Sequence, residues 1–318
     1  MKNTITMTKR VSDYIIWKRG LGYSQKTEYR ELLRFANFAE SINHSGPLTT
    51  KLAIEWANLA AHNSRLYQAK RLELIRCFAK YEAITSPLTE IPPSGIFGKA
   101  HIRTQPYIYT KKEIVRLMKR AKNLEPSGGL RPRTICTFIG LLASTGMRVC
   151  EALKIDCSDI DFGQKIIYIR DTKFHKSRII PVQCSTIEAL QKYISFRSWY
   201  HPSPKSTHLF LSEKGESLPY STVCWNFQQV RTCLLTKGKW NRRPPRMYDL
   251  RHTFACNRLL QWYHEGIDIN QIISTLSTYL GHVKLSDTYW YLTGTPELFS
   301  IAAERFELFV AEKEEVLL

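Results

Sequence analysis

Hydrophobic residues recur at helical spacing in four segments of the first ninety residues. The segments read VSDYIIW, YRELLRFANFAE, KLAIEWANLAA and YQAKRLELIRCFAKYEA, with breaks at Gly20, at Gly22 and at Ser45–Pro47. Short connections of this kind make consecutive helices antiparallel neighbours. The pattern therefore predicts a four-helix domain over residues 1–90.

Prolines and glycines replace this periodicity over residues 91–106, which predicts an interdomain linker. After it, Thr110 and Glu113 have the spacing of a capping box, so a new helix and a second domain begin there. We place this second domain at residues 107–305. The remaining residues 306–318 form a tail whose apolar residues suit an amphipathic helix.

The second domain mixes helical periodicity with two alternating segments. Helices are predicted near residues 110–122, 131–144, 185–199, 220–236, 250–264 and 268–279. The segments KIIYIR and SRIIPV, after the turn DFGQ, alternate as the strands of a β-hairpin do. The predicted fold class is therefore mostly α with a small β-sheet (α+β).

Positive charge is in large excess: 46 Lys and Arg face 28 Asp and Glu, a formal net charge of +18. Residues 1–90 hold 14 basic and 8 acidic residues, so both domains are basic. Such an excess indicates a polyanionic partner. Because the chain has neither an apolar run of spanning length nor the apolar region of a signal peptide, we expect a cytoplasmic, nucleoid-associated protein bound to double-stranded DNA.

Basic side chains decorate the polar faces of the first domain, where they could follow a phosphate backbone or simply face solvent. The candidates are Lys18, Arg19, Lys26, Arg30, Lys70 and Arg71.

Neither a metal nor a cofactor is predicted. The eight cysteines form no C-x-x-C pair and no histidine stands at zinc-finger spacing, so we expect mostly buried, reduced thiols. Glycine-rich phosphate loops and clustered acids are absent from the sequence. Glu151 and Asp249 stand beside arginines and are interpreted as their orienting partners.

Four clusters in the second domain carry residues suited to phosphate chemistry. They read STGMRVCEAL over 144–153, TKFHKSR over 172–178, YDLRHTFA over 248–255, and LGH over 280–282 followed by TYWY over 288–291. Arg148 follows a glycine-containing break and opens a helix, a position that favours anions.

The order of these motifs resembles the tyrosine recombinase (phage integrase) family. The shared features are TGMRxxE, a hairpin lysine, LRHTFA, LGH and a tyrosine nine residues beyond that histidine. The resemblance covers residues 107–305, and the helical domain before them is similar to the family's core-binding domain. It implies a site-specific recombinase that cleaves and rejoins DNA through a 3′-phosphotyrosine, working as a homotetramer on specific recombination sites.

The biological role implied is the integration, excision or transposition of a mobile element, with chromosome-dimer resolution as a second possibility. In similar proteins a C-terminal segment docks on a neighbouring protomer. For the tail over residues 306–318, packing on its own domain is the alternative.

The resemblance also implies a role for each motif residue. Tyr291 is the nucleophile, and Arg148 and Arg251 clamp the phosphate oxygens. Lys173 protonates the leaving 5′-oxygen; its competitor Lys176 otherwise contacts the DNA backbone. His282 hydrogen bonds the phosphate or takes the phenol proton. Structural alternatives are an Arg148–Glu151 ion pair and a helix-terminal histidine beside Gly281, while Tyr289 is expected to pack in the core.

One position departs from the family pattern. Tyr248 stands where the family usually has histidine, three residues before Arg251. A phenol donates a hydrogen bond, but its pKa of about 10 makes it a poor base at neutral pH. Either catalysis persists with Tyr248 as a neutral donor, or the chain binds DNA without cutting it. A type IB topoisomerase is a third possibility.

Overall fold

A computed structural model describes residues 5–23, 26–59, 64–102, 105–170, 177–234, 244–293 and 300. The chain divides into two compact units, Met1–Thr104 and Gln105–Leu318. The predicted linker over 91–106 spans this division. The predicted C-terminal tail lies outside the described residues.

The first unit contains the four predicted helices. They are α1 (Met7–Gly20), α2 (Lys26–Ser41), α3 (Thr50–Asn58) and α4 (Arg65–Glu82). Thr6 and Thr49 cap α1 and α3 with their hydroxyl oxygens, which accept hydrogen bonds from free amides of the first turn. Apolar faces meet in a core where the ring of Phe35 lies edge-on to Trp56 at 5.5 Å and to Phe78 at 6.5 Å.

The described part of the second unit is mostly helical. Its helices are α5 (Lys111–Lys122), α6 (Leu130–Thr145), α7 (Val149–Ala152), α8 (Cys184–Tyr200), α9 (Tyr220–Val230), α10 (Asp249–His264), α11 (Ile269–Leu280) and α12 (Ser286–Tyr289). Short 3₁₀ turns follow α9 and α12. The capping box predicted at Thr110 and Glu113 is confirmed.

Helix α6 is the centre of the second unit. It buries side chains around most of its circumference because its sequence, LRPRTICTFIGLLAST, is apolar on more than one face. Phe138 of α6 meets Phe210 edge-on at 5.0 Å in the main core. The C-terminal end of this helix leads directly into the first predicted motif.

A small antiparallel sheet lies beside the helices. Its strands β1 (Ile160–Asp161), β2 (Ile166–Ile169) and β3 (Arg178–Pro181) are ordered β1-β2-β3, with Ile167 paired to Ile160 and Ile180. The β2–β3 hairpin and the α+β class are as predicted, while β1 was not anticipated. Lys173 and Lys176 belong to the connection between β2 and β3 and lie outside the described residues.

The expectation for the cysteines was wrong for most of them. All eight are free thiols, but only Cys136 and Cys256 are buried, whereas Cys77, Cys150 and Cys184 are exposed. An apolar neighbourhood in sequence does not bury a thiol, because a helix turns each residue by about 100° and some positions face solvent.

Across the described residues, none of the helices combines the length and the apolar character that a membrane span requires.

Candidate active site

Two helices end at glycines beside the motif residues. Gly146 after α6 and Gly281 at the end of α11 have φ angles of 63° and 69°, the left-handed conformation that terminates helices. A Cβ atom on Gly146 would lie 2.4 Å from the ring of Phe254, and one on Gly281 would lie 2.8 Å from Nη1 of Arg178. Both turns therefore require glycine. Arg148 lies two residues after the first glycine, and His282 directly follows the second.

Arg251 bridges the two helix ends. Its Nη1 donates to the Gly146 carbonyl at 2.9 Å and its Nη2 to the Leu280 carbonyl at 2.8 Å. Helix C-termini carry partial negative charge and stabilise a cation. Arg251 is only 2% exposed, and burial lowers its pKa.

The guanidinium of Arg251 can still bind an anion. Within the described ranges it has no carboxylate at ion-pair distance, and its Nε has no hydrogen-bond partner. A buried positive charge without a counter-ion favours binding of an anionic group. Arg197 also has a buried Nε without a partner, so this feature alone does not define a site. What distinguishes Arg251 is the set of groups around it.

Arg148 precedes α7 and is held in place by Glu151. Its Nη1 donates to Oε1 of Glu151 at 2.7 Å and its Nη2 to the Gly281 carbonyl at 2.9 Å. The ion pair considered as the structural alternative is thus present. It does not exclude phosphate binding, because about a third of the arginine side chain, 32%, is exposed.

Glu151 is a buried carboxylate between two arginines. Burial by itself raises its pKa, but hydrogen bonds and charge from Arg178, then from Arg148, outweigh burial and bring the pKa to about 2. Asp249, the other predicted orienting acid, bonds Arg246 at 2.8 Å instead of Arg251. In the described portion of the chain no three His, Cys, Asp or Glu side chains group as metal ligands would.

His282 has a defined tautomer. Its Nε2 lies 2.9 Å from Nη2 of Arg251, which can only donate, so Nε2 is the acceptor. Its Nδ1 then carries the proton and donates to Oγ1 of Thr288 at 2.7 Å. Burial, followed by the charges of Arg251 and Arg148, lowers the pKa of His282 to about 4. The imidazole is therefore neutral at pH 7.

Tyr291 lies against this histidine. Its hydroxyl is 3.5 Å from Nε2 of His282, and the two rings stack with centroids 5.8 Å apart. The residue is 2% exposed; burial raises the pKa of the phenol, and the nearby charge of Arg251 lowers it in part. The predicted packing of Tyr289 in the core is wrong, because Tyr289 is 42% exposed. Of these two phenols, the one predicted as nucleophile faces the arginines.

Sequence reasoning missed His252, which lies between two phenols. Its ring meets Tyr248 edge-on at 5.0 Å and Tyr291 at 5.2 Å. Burial lowers the pKa of His252 to about 4. Tyr248 itself is 48% exposed at the start of α10. The signal available in the sequence was the spacing of four residues, which places Tyr248 and His252 on one face of the helix.

The predicted DNA contacts of the first unit differ in exposure. Arg19, Arg30 and Lys70 are exposed, and the side chain of Lys26 lies outside the described residues. Lys18 is partly covered, with its ammonium 4.7 Å from the ring centre of Tyr23.

Arg71 is a correction to this set. Its side chain is 10% exposed, its guanidinium carbon lies 4.0 Å from the ring centre of Trp56, and Nη1 donates to the Trp56 carbonyl at 3.0 Å. Arg71 therefore serves the interior of the first unit instead of an exposed phosphate-binding face.

Comparison with known proteins places these motifs in a family. The model of the phage integrase family matches residues 108–297. The curated protein "Putative integrase/recombinase y4rB" of Sinorhizobium fredii is 37% identical over 306 residues, covering 95% of this chain and 97% of its own length. The tyrosine recombinase XerC of Chlamydia trachomatis is 28% identical over 238 residues, covering 73% of this chain and 68% of its own.

Solved structures share the fold. The integrase of transposon Tn1549, in complex with transposon right end DNA, superposes with a TM-score of 0.67 at 16% identity and covers 96% of this chain and 100% of its own. The XerH site-specific recombinase bound to palindromic difH substrate, in a post-cleavage complex, gives a TM-score of 0.64 at 18% identity and covers 88% of this chain and 79% of its own. By its family match and its relatives, the chain belongs to the phage integrase family, the tyrosine-type site-specific recombinases that break and rejoin DNA.

Proposed function

We propose that this chain recombines specific DNA sites by using Tyr291 as a nucleophile. The phenolic oxygen attacks a backbone phosphorus, the bond from phosphorus to the 5′-oxygen breaks, and a 3′-phosphotyrosine forms. Attack by a 5′-hydroxyl reverses the step and rejoins a strand without ATP, because the covalent intermediate conserves the bond. One observation carries the proposal: the Tyr291 hydroxyl and Nη2 of Arg251 converge on the same nitrogen of His282.

His282 is suited to accept the proton of the nucleophile. Its Nε2 has the lone pair, and its pKa of about 4 keeps that nitrogen unprotonated at neutral pH. A phosphate that takes the hydrogen bond of Arg251 Nη2 leaves the lone pair to the phenol of Tyr291.

Arg251 and Arg148 supply the charge that the transition state needs. Negative charge grows on the non-bridging oxygens during attack, and two permanently charged forks can donate to them. Because Arg251 and Tyr291 are each 2% exposed, both must become more accessible before a phosphate can reach them. Productive binding of DNA therefore includes a local rearrangement of this site.

The leaving 5′-oxygen takes a proton, and the family resemblance assigns that donor to Lys173. Lys176, on the same hairpin connection, is then a backbone contact. Tyr248 is exposed and donates one neutral hydrogen bond to phosphate. In this scheme the family histidine is dispensable, because His282 handles the proton of Tyr291.

The DNA partner is a duplex with specific recombination sites, bound by four protomers. This is supported by relatives: one solved neighbour is a lambda integrase tetramer bound to a Holliday junction, and another is a transposon integrase with transposon end DNA. We therefore propose integration, excision or transposition of a mobile element. The exposed side chains of Arg19, Arg30 and Lys70, together with Lys18 and Lys26, are the proposed contacts of the first unit.

A covalent-trapping assay tests the reaction. Nicked duplexes from the DNA flanking the gene are incubated with the protein and separated on a denaturing gel. The expected result is a slow-migrating adduct that Tyr291→Phe abolishes and Tyr289→Phe retains, the latter being a matched control two residues away. DNA binding in a native gel without any adduct would contradict the proposal and favour a binding-only protein, for which Tyr248→His is the rescue variant.

A further inference from the structure

Three successive carbonyls at the end of α11 each accept a hydrogen bond from a different arginine. Nε of Arg178 donates to Tyr279 at 2.8 Å, Nη2 of Arg251 to Leu280 at 2.8 Å, and Nη2 of Arg148 to Gly281 at 2.9 Å. His282 is the next residue. Arg251 and Arg148 belong to the proposed phosphate clamp, whereas Arg178 has no role in the reaction as proposed above.

Each nitrogen of the Arg178 guanidinium donates to a protein group. In addition to its bond to Tyr279, its Nη1 and Nη2 donate to the two carboxylate oxygens of Glu151 at 3.1 and 2.7 Å. Its side chain is 10% exposed. Each of its three nitrogens has an acceptor, in contrast to Arg251. Because its side chain is largely covered and its charge is paired with Glu151, we assign its effect on the reaction to the residues that it holds.

Two active-site residues depend on the partners of Arg178. Glu151 also accepts from Nη1 and from the backbone amide of Arg148, so its position sets that of the arginine. The Arg178 guanidinium also lies directly over Gly281, where a Cβ atom would come within 2.8 Å of Nη1. The peptide that leads into His282 is thus packed against Arg178.

We infer that Arg178 is a positioning residue for strand cleavage, acting through Glu151 on Arg148 and through the Tyr279–Gly281 turn on His282. The inference rests on the proposed function, because it concerns the rate of the same cleavage step. Displacing catalytic groups by about 1 Å can slow a reaction by about 10²-fold, so a lost anchor here should be visible in the rate.

A second route of action is separable by experiment. Arg178 begins β3, immediately after the hairpin connection that holds Lys173, so it could act on the proton donor instead. A substrate with sulfur in place of the leaving 5′-oxygen distinguishes the two. A thiol has a pKa of about 8.5, so a thiolate leaves without needing a proton. Such a substrate rescues a defect in protonation but not a defect in the clamp or in the handling of the nucleophile.

The experiment compares Arg178→Gln and Arg178→Lys with Arg170→Gln. Arg170 is the control. Like Arg178 it borders the connection between β2 and β3 and pairs with an acid, with Nε bonding Asp159 at 2.5 Å, but its side chain is largely exposed. Single-turnover rates of adduct formation are measured on oxygen and sulfur substrates, beside affinity in native gels and thermal unfolding. A double variant, Arg178→Gln with Glu151→Gln, removes the buried carboxylate charge in case the single variant does not fold.

Arg178→Gln should slow adduct formation about 10²-fold on both substrates, with DNA affinity changed by less than about twofold. Arg178→Lys should recover part of the rate, and Lys173→Ala should be slow only on the oxygen substrate. Rescue of Arg178→Gln by sulfur, or a rate equal to that of Arg170→Gln, would overturn the positioning role. A wild-type protein that forms no adduct on either substrate would instead contradict the proposed function itself.

Discussion

Arginines with little solvent exposure have different partners in the two units. In the first unit, Arg71 stacks on Trp56 and has a carboxylate oxygen of Glu31 at 3.7 Å. In the second unit, Arg251 bonds carbonyl groups at two helix ends and the nitrogen of His282. An arginine beside an acid is already neutralised, whereas one held by dipoles alone keeps its full charge for an incoming anion.

Both kinds of arginine occur together at the candidate site. Arg178 is paired with buried Glu151, and Arg148 shares that carboxylate while remaining about a third exposed. Burial and charge therefore do not by themselves mark a phosphate site. A phosphate site also needs a guanidinium that is either free of an acid, like that of Arg251, or still partly exposed, like that of Arg148, with a nucleophile beside it.

The largest effect is expected for Arg251→Gln. Losing a permanent charge that the transition state requires should slow adduct formation by about 10³-fold, measured in single turnover with saturating enzyme. Arg197→Gln is the control, because Arg197 is also buried with an unpaired Nε but has no role in the proposed mechanism. If the two variants slow cleavage equally at a temperature where both are folded, the distinction between these arginines is wrong.

The second prediction concerns Arg71 and its exposed neighbour Lys70. Arg71→Ala should lower the free energy of unfolding by about 1–3 kcal/mol, because it removes the contact with the Trp56 ring and the 3.7 Å ion pair with Glu31, which keeps its second ion pair with Arg34. Lys70→Ala should change stability by less than about 0.5 kcal/mol, yet reduce the salt dependence of DNA binding by about one counterion. Chemical denaturation and titrations at several salt concentrations check both. A loss of stability in Lys70→Ala, or a reduced salt dependence with unchanged stability in Arg71→Ala, would contradict the roles given to these two residues.

Much of the fold could be predicted because it is encoded locally. Apolar spacing indicated the four helices of the first unit, Thr110 and Glu113 indicated a helix start, and alternation indicated the β2–β3 hairpin. Strand β1 was not predicted because it is only two residues long and is defined by its pairing with β2. The distance of nine residues from His282 selected Tyr291 over Tyr289. It could not show which of the two side chains is buried, because α12 is a single turn and Tyr291 lies in the 3₁₀ turn after it.

The candidate site was predicted only as far as its motifs reach. Motif order gave Arg148, Arg251, His282 and Tyr291, which lie far apart in sequence and share one region of the structure. Arg178 was missed because its partners, Glu151 and the carbonyl of Tyr279, lie 27 and 101 residues away in sequence. These contacts form only after the chain has folded, whereas for His252 the four-residue spacing from Tyr248 was an available local signal.

The third prediction uses the lowered pKa values of His252 and His282, each about 4. Between pH 6.5 and 4 the unfolded chain binds more protons at these histidines than the folded chain does. Stability should therefore fall as pH falls through this window, by at most about 2 kcal/mol for each histidine at pH 5. Unfolding midpoints between pH 8 and 5 check this, and His252→Gln or His282→Gln should reduce the dependence.

The lowered pKa of His282 also predicts how the cleavage rate depends on pH. If neutral His282 accepts the proton of Tyr291, the rate on folded protein should not show a loss with an apparent pKa near the ordinary value of 6.5 for histidine. Such a loss would mean that an exposed, ordinary histidine controls the reaction, and the environment of Arg251 would no longer explain the chemistry.

The smallest effect is expected at Tyr248, whose exposed phenol replaces the family histidine. Tyr248→Phe removes one neutral hydrogen bond, worth about 0.5–1.5 kcal/mol, and should slow adduct formation by roughly three- to tenfold. Tyr248→His keeps a donor and should cleave within about threefold of the wild-type rate at pH 8. A gain of more than about 10²-fold on Tyr248→His would be the scale of general acid–base catalysis. It would mean that this position normally moves a proton, that His282 does not replace it, and that the natural protein is a weakened recombinase.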